Sequence, residues 1–168
     1  MDSRKLKIQI SNDIEIILLK SIDVIKFVEN GYASIGIVGS DILEESNFDN
    51  FIEMLDLNTG ICHFALAALP NTSLQDIKIV ASKYPIISKK ILNDLNLNCR
   101  IVKMEGSLEL AHLVNYADAI IDIVETGETL RVNGLQIVKL LNKISTKIIV
   151  SKNNQDNKRI KEIINLFK

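Results

Sequence analysis

The sequence predicts an α/β protein of two lobes, and three observations carry that reading. Short apolar runs alternate with amphipathic stretches along most of the chain, the pattern of strands covered by helices. Two long apolar strands, at residues 62–69 and 145–150, bracket a second strand–helix rhythm that starts at Asp76, as if the chain leaves one lobe and returns to it. The length of 168 residues suits one large domain or two small lobes with real cores. The expected division is residues 1–69, with the first crossing strand from about 62, then 70–144 as lobe two, then 145–168 as the return strand and closing helix of lobe one. Such an architecture has largely parallel sheets and a ligand facing helix N-termini in the cleft.

Each element has a local reason. Residues 5–10 and 14–19 are rich in Ile, Leu and Lys and flank Ser11-Asn12-Asp13, which reads as a hairpin. Ser21 is a candidate cap for a helix whose Ile22, Ile25 and Val28 share a face, and Gly31 stops it. Residues 34–38 form a short buried strand ended by Gly39-Ser40-Asp41; residues 44–58 read as a variable linker. Beyond Asp76 the expected order is a strand at 77–81, a helix at 85–96 with Pro85 in its first turn, and a strand at 99–103. A short helix at 109–115, a central strand at 117–124 and a helix running through Arg131 to Asn133-Gly134 follow. A strand at 147–150 and an amphipathic helix at 158–167 close the chain.

Composition excludes several classes. The chain is 47% hydrophobic with mean hydropathy +0.18, yet no apolar run approaches the ~18–20 residues of a membrane span. The start, MDSRKLKIQ, has no apolar h-region, so no secretory signal is read. Twenty basic residues against twenty-one acidic ones, with no Trp, give neither a basic patch nor a stacking platform for nucleic acid. Cys62 and Cys99 lie in apolar segments without metal-ligand spacing, which fits a reducing, cytoplasmic compartment.

The chemistry concentrates in residues 117–130, ADAIIDIVETGETL. A strand carrying Asp122 runs into the turn Glu125-Thr126-Gly127-Glu128-Thr129-Leu130 at a helix start. Unpaired N–H groups and two hydroxyls there suit a phosphate. Asp122 suits ribose hydroxyls or a magnesium-bound diphosphate, or equally the capping of nearby turn N–H groups. A side chain at Gly127 would block a ligand from the backbone. Glu125 and Glu128 oppose an anion, so the turn needs cations from elsewhere. Gly36-Ile37-Val38-Gly39-Ser40-Asp41 and Glu105-Gly106-Ser107 are two further strand-to-turn junctions, and neither has a P-loop Lys or dinucleotide glycine order. His63 and His112 read as packed or surface histidines, and no nucleophile arrangement or protein-held metal cluster is found.

The run from Glu105-Gly106-Ser107-Leu108-Glu109-Leu110-Ala111 through residues 117–130 to Asn133-Gly134-Leu135 resembles the signature of the ATP phosphoribosyltransferases, in their short catalytic-subunit form. Supporting matches are GIVGSD at 36–41, Asp56-Leu57 with Gly60 and Cys62, and Tyr84-Pro85, so the likeness spans nearly the whole chain. The resemblance implies a two-lobed fold of the periplasmic-binding-protein type (type II) with two crossing strands. It also implies joining of N1 of ATP to C1 of phosphoribosyl diphosphate, the first step of histidine biosynthesis, with Mg2+ arriving on the substrates.

By position, Asp122 and Thr126–Thr129 with their neighbours Glu125 and Leu130 take the phosphoribosyl diphosphate. Arg4, Gly39, Asp41, Glu105 and Ser107 take ATP, and Asp122 and Asp41 are the expected catalytic pair. A homo-oligomer with a regulatory subunit similar to histidyl-tRNA synthetase is the implied assembly. The family's first strand and its Lys-Gly-Arg turn have no counterpart before Asp2-Ser3-Arg4-Lys5-Leu6. The alternatives are a non-catalytic module binding a phosphorylated metabolite, or a nucleobase phosphoribosyltransferase, whose loops carry two adjacent acids where Asp122 stands between Ile121 and Ile123.

Overall fold

The computed structural model describes residues 5–168. In chain order the first elements are β1 (Lys7–Gln9), β2 (Glu15–Ile17), α1 (Ser21–Glu29), β3 (Gly36–Gly39), α2 (Ser40–Glu45) and β4 (Phe51–Asp56). Next come β5 (Cys62–Ala68), β6 (Ile79–Ser82), α3 (Pro85–Asp94), β7 (Arg100–Lys103), α4 (Leu108–Leu113), β8 (Ala119–Val124) and α5 (Glu128–Val132). The chain closes with β9 (Gln136–Ile144), β10 (Thr146–Ser151) and α6 (Lys158–Asn165). Among the described residues no helix is long and apolar enough to cross a membrane.

These elements form two compact units, residues up to Leu57 with Lys147–Lys168, and Asn58–Thr146. The boundaries therefore fall at 57/58 and 146/147 rather than at 69/70 and 144/145. The reason is pairing: β5 is hydrogen-bonded to β8 on one side and β9 on the other, which ties it to the second unit, whereas β10 pairs with β4 in the first. The chain passes between units twice, just ahead of β5 and at the start of β10.

In the first unit β1 and β2 form the expected antiparallel hairpin, and a three-stranded sheet has the order β3-β10-β4. Alternation along β10 builds two cores. Ile149 packs with Ile25, Val28, Val38 and Leu43, while Ile148 and Val150 pack with Ile160 and Ile164 of α6. Helix α1 begins one residue earlier than a Ser21 cap requires. Lys20 holds the cap position, Ser21 is the first helical residue, and Gly31 at φ +76° follows the end as expected. Residues 44–58 are not a linker, because Phe51, Ile52, Met54 and Leu55 make β4 an antiparallel partner of β10. Asn47, Asp49 and Asn50 just ahead of it, and Glu53 within it, interrupt its apolar signal.

The second unit holds a five-stranded sheet ordered β7-β6-β8-β5-β9. β6 runs parallel to β7 and β8, while β5 runs antiparallel to β8 and β9, so the sheet is mixed rather than largely parallel. Phe64, Leu66, Val80 and Ile121 meet Ile87, Ile91 and Leu92 of α3 on one face. On the other, Ala65, Ala67, Ala81 and Ile120 meet Leu108 and Ala111 of α4 and Leu130 of α5. Small residues there let two short helices sit close to the sheet. Sequence reading gives no element between Gly134 and residue 145, where β9 lies. Only one side of that edge strand packs, so its Lys139, Asn142 and Lys143 break the apolar signal.

Gly36 is the tightest point of the first core. A Cβ there would stand 2.8 Å from Val28 Cγ2, 2.9 Å from Val24 Cγ1 and 3.0 Å from Ile149 Cγ1, all branched and packed. Gly36→Ala is expected to destabilise the first unit by about 1–3 kcal/mol through overpacking. Urea unfolding checks it; an unchanged midpoint would show that α1 can move off the sheet at no cost.

Candidate functional site

The second unit's sheet brings three turns to one edge. β6 lies between β7 and β8, and Ser82 is level with Lys103 on one side and Ile121 on the other. Parallel strands point the same way, so the turns into α3, α4 and α5 leave from the same edge, where ligands of α/β sheets bind, although β8 runs past Ile121 to Val124. Two of these turns, at Glu105–Ser107 and Glu125–Thr129, are expected from sequence. The third, Ser82-Lys83-Tyr84-Pro85, is not.

The turn after β6 is held from below. The fully buried Ser82 hydroxyl donates to the Ile121 carbonyl at 2.7 Å and accepts from the Tyr84 N–H at 3.0 Å. Tyr84 is buried and meets Phe64 edge-on, with ring centroids 5.1 Å apart. Strand alternation turns Val80 and Ile121 to the α3 face and Ala81 and Ile120 to the α4–α5 face. Asp122 and Lys83, each one step past the Ile121–Ser82 pair, follow Ile120 and Ala81 onto that second face. Lys83 Nζ lies 5.8 Å from the Tyr84 ring centroid.

Asp122 is half-buried, and one of its oxygens accepts the Ile123 N–H at 2.8 Å. Burial pushes its carboxyl above the usual carboxylate range and nearby Glu109 adds to this, while the Ile123 N–H and Lys83 pull the other way. An acid held this way binds hydroxyls or a cation readily, because either would replace lost hydration.

The turn beyond β8 has the form a phosphate needs. Gly127, at φ +74°, caps α5, and the first backbone bond of that helix runs from Arg131 N to Gly127 O at 3.1 Å. The N–H groups ahead of Arg131 thus have no intrahelical acceptor. Thr126, the expected cap, sits one residue upstream, where its hydroxyl accepts the Glu128 N–H at 3.4 Å. A Cβ on Gly127 would make only an ordinary 3.4 Å contact with Ile137, so the left-handed backbone is what calls for glycine here. Leu130 is buried, which leaves its backbone alone to meet a ligand; Glu125 and Thr129 are exposed. Glu128 does not stand uncompensated: Arg131 grips it through two bonds of 2.6 and 3.1 Å. That i,i+3 pair is legible in sequence once the helix start is placed.

The Glu105–Ser107 turn is the strained one. Ser107 caps α4 at φ 50°, ψ 48°, and among the described residues the other non-glycine positions with positive φ are Asn58, Asn71, Asn96 and Asn115. Asparagine tolerates that region, whereas another side chain costs about 1–2 kcal/mol, a strain that functional turns retain. Glu105 is exposed, pairs with Lys103 at 2.9 Å, and is held below the usual carboxylate range by that ammonium.

Gly39 and Asp41 lie in the first unit, at the passage from β3 to α2. Asp41 is 9% exposed, and its carboxylate occupies the space that a Cβ on Gly39 would take. Arg4 lies outside the described residues. His63 and His112 are half-buried, and burial pushes up the thiol of Cys99, which donates to the Ile77 carbonyl at 3.2 Å. Among the described residues no group of three or more His, Cys, Asp or Glu side chains is placed to hold a metal.

Known proteins of similar sequence and structure agree on one family. The family model described as HisG, ATP phosphoribosyltransferase, matches residues 20–168. The ATP phosphoribosyltransferase of Lactococcus lactis subsp. cremoris is 47% identical over 152 residues, covering 89% of this chain and 73% of that protein. The Clostridium botulinum (strain Okra) enzyme of the same name is 46% identical over 170 residues, covering 98% of this chain and 79% of that one. A chain of the ATP phosphoribosyl transferase (HisG:HisZ) complex from Thermotoga maritima superposes with a TM-score of 0.79 at 30% identity, over 93% of this chain and 78% of its own. A substrate-binding domain of a putative amino acid ABC transporter from Streptococcus pneumoniae shares the fold alone, with a TM-score of 0.55 at 19% identity over 92% of this chain and 74% of that one. The fold is thus the periplasmic-binding-protein-like one expected from sequence, and the chain belongs to the ATP phosphoribosyltransferase family.

Proposed function

We propose that the chain works as an ATP phosphoribosyltransferase whose second unit binds phosphoribosyl diphosphate at the shared edge of β6, β7 and β8. N1 of the ATP adenine attacks C1 of the ribose, the C1–O bond to diphosphate breaks, and C1 inverts to give N1-(5-phosphoribosyl)-ATP. The observation that carries the site is the turn at Thr126–Leu130, with its open N–H groups above a buried leucine anchor. Those groups and the two threonine hydroxyls hold the 5′-phosphate. Asp122 holds the ribose hydroxyls or the substrate's magnesium, which suits a metal bound by one or two carboxylates plus substrate phosphates. The resemblance assigns Glu105 and Ser107 of this unit to ATP, and separately Gly39, Asp41 and Arg4, with Asp41 as a second positioning acid. Magnesium on the diphosphate offsets its leaving charge. The chain's own residues work by orientation and charge placement, so no covalent nucleophile is needed.

A HisZ-like regulatory subunit, similar to histidyl-tRNA synthetase, is the proposed partner, supported by the Thermotoga maritima complex. A homo-oligomer and a cytoplasmic location complete the proposal.

The direct test is conversion of ATP and phosphoribosyl diphosphate with magnesium, with and without the regulatory subunit, followed by chromatography. Product and diphosphate in equal amounts are expected. Binding of phosphoribosyl diphosphate with no product in either condition would favour a binding module instead.

Asp122 carries a second prediction. Its raised carboxyl means folding favours the protonated form. Whatever stability that gives is present below the unfolded value near pH ~3.9 and lost as pH rises through the folded one. Asp122→Asn should therefore raise the melting temperature at pH 7, with the gain shrinking toward pH 4, while kcat/KM for phosphoribosyl diphosphate falls about a hundredfold. Calorimetric melts at both pH values and steady-state kinetics check it. Lower stability at pH 7 with kinetics unchanged would mean that Asp122 is structural.

A further inference from the structure

The phosphate turn is flanked by acids, and the cations near it are mostly committed. Lys103 pairs with Glu105 at 2.9 Å, and Arg131 with Glu128 at 2.6 Å. Lys83 differs. It is exposed, it forms no ion pair among the described residues, and it sits in the middle of the edge because β6 is the middle of the three strands. Its turn is held rigidly by the Ser82 bonds to Ile121 and Tyr84 and by the packing of Tyr84 on Phe64. The β6–β8 pairing ends at Ser82–Ile121, so Lys83 leaves β6 at the level where Asp122 follows Ile121 in β8. Electrostatics agree, since its ammonium acts on Asp122 from one side and on Glu105 from the other.

An ammonium with no ion pair among the described residues, resting over the Tyr84 ring between two acidic turns, has a clear use. Alone, the turns carry Glu105, Glu109, Asp122, Glu125 and Glu128, a field that repels a highly charged anion. Local ion pairs cancel Glu105 and Glu128 and leave the others. Resting on the site proposed above, we infer that Lys83 is the second unit's substrate-binding cation, meeting an anionic oxygen of phosphoribosyl diphosphate between the Asp122 strand end and the Glu105 turn. The reading also answers the charge deficit that the sequence poses, with a cation from a turn that carries no recognised phosphate motif.

The test is calorimetric titration of magnesium phosphoribosyl diphosphate into the full chain and into Lys83→Met and Lys83→Arg, at low and high salt, with ATP titrated separately. Lys83→Met is expected to weaken phosphoribosyl diphosphate binding tenfold or more and to flatten its salt dependence. Lys83→Arg should recover most of the affinity, and ATP binding and the melting temperature should stay as in the unaltered chain. Unchanged affinity in Lys83→Met would overturn the inference, as would equal losses for ATP and phosphoribosyl diphosphate. If Lys83→Met lowers the melting temperature, the Arg variant decides: a folded Lys83→Arg that binds no better than Lys83→Met overturns the inference. Failure of the unaltered chain to bind phosphoribosyl diphosphate would instead sink the site reading on which it rests.

Discussion

The chemistry of the second unit depends on β6 running parallel to β7 and β8 between them. That single pairing pattern sets Ser82 level with Lys103 and Ile121 and sends three turns out from one edge, with β8 running on to Val124. Reversing β6 would carry Lys83 to the far end of the sheet, leaving Asp122 and the two acidic turns without it. The buried Ser82 hydroxyl, bonded at once to the Ile121 carbonyl and the Tyr84 N–H, ties β6 to β8 where the register matters most. Alanines at 65, 67 and 81 then let α4 and α5 lie close over the same face, so their first turns reach the edge too.

Charge placement at this edge is organised in pairs around a few acids left open. Glu128 is answered by Arg131 within one helical turn, and Glu105 by Lys103 two residues away. Exposed pairs of this sort contribute little to stability. Their effect here is on the field, since each removes a negative charge from the approach of an anion. Asp122 is treated differently: it is half-buried with a raised carboxyl, at a cost to folding that a purely structural residue would not need. Ser107 carries a similar cost in its backbone. Both costs lie in one set of turns, as expected where a site rather than a core sets the local geometry.

Much of this was legible in the residues. The apolar runs at residues 62–69 and 117–124 marked both central strands, Gly31 the end of α1, and Asn133-Gly134 the end of α5. The turn at Glu125–Leu130 stands out as a candidate anion cradle from its order alone. β4 and β9 were not legible: β4 is short, its residues half-buried against both cores of the first unit and interrupted by Glu53, and β9 packs on one side only, with polar residues between. The unit boundaries were also hidden, since they follow from which strand β5 bonds to and not from how apolar it is. The reason for Gly127 lay in a backbone angle, and Lys83 was invisible because a lone lysine at a strand end carries no signal until its neighbours in space are known.

The central claim is that the edge after β6, β7 and β8 is where phosphoribosyl diphosphate binds. Amide hydrogen exchange across the whole chain, with and without magnesium phosphoribosyl diphosphate, tests it most directly, because the open N–H groups at the start of α5 are the proposed phosphate donors. The account predicts new protection at residues 126–130, with smaller effects at 83–84 and 105–109. Binding that leaves residues 126–130 exchanging as before, with protection elsewhere, would contradict it.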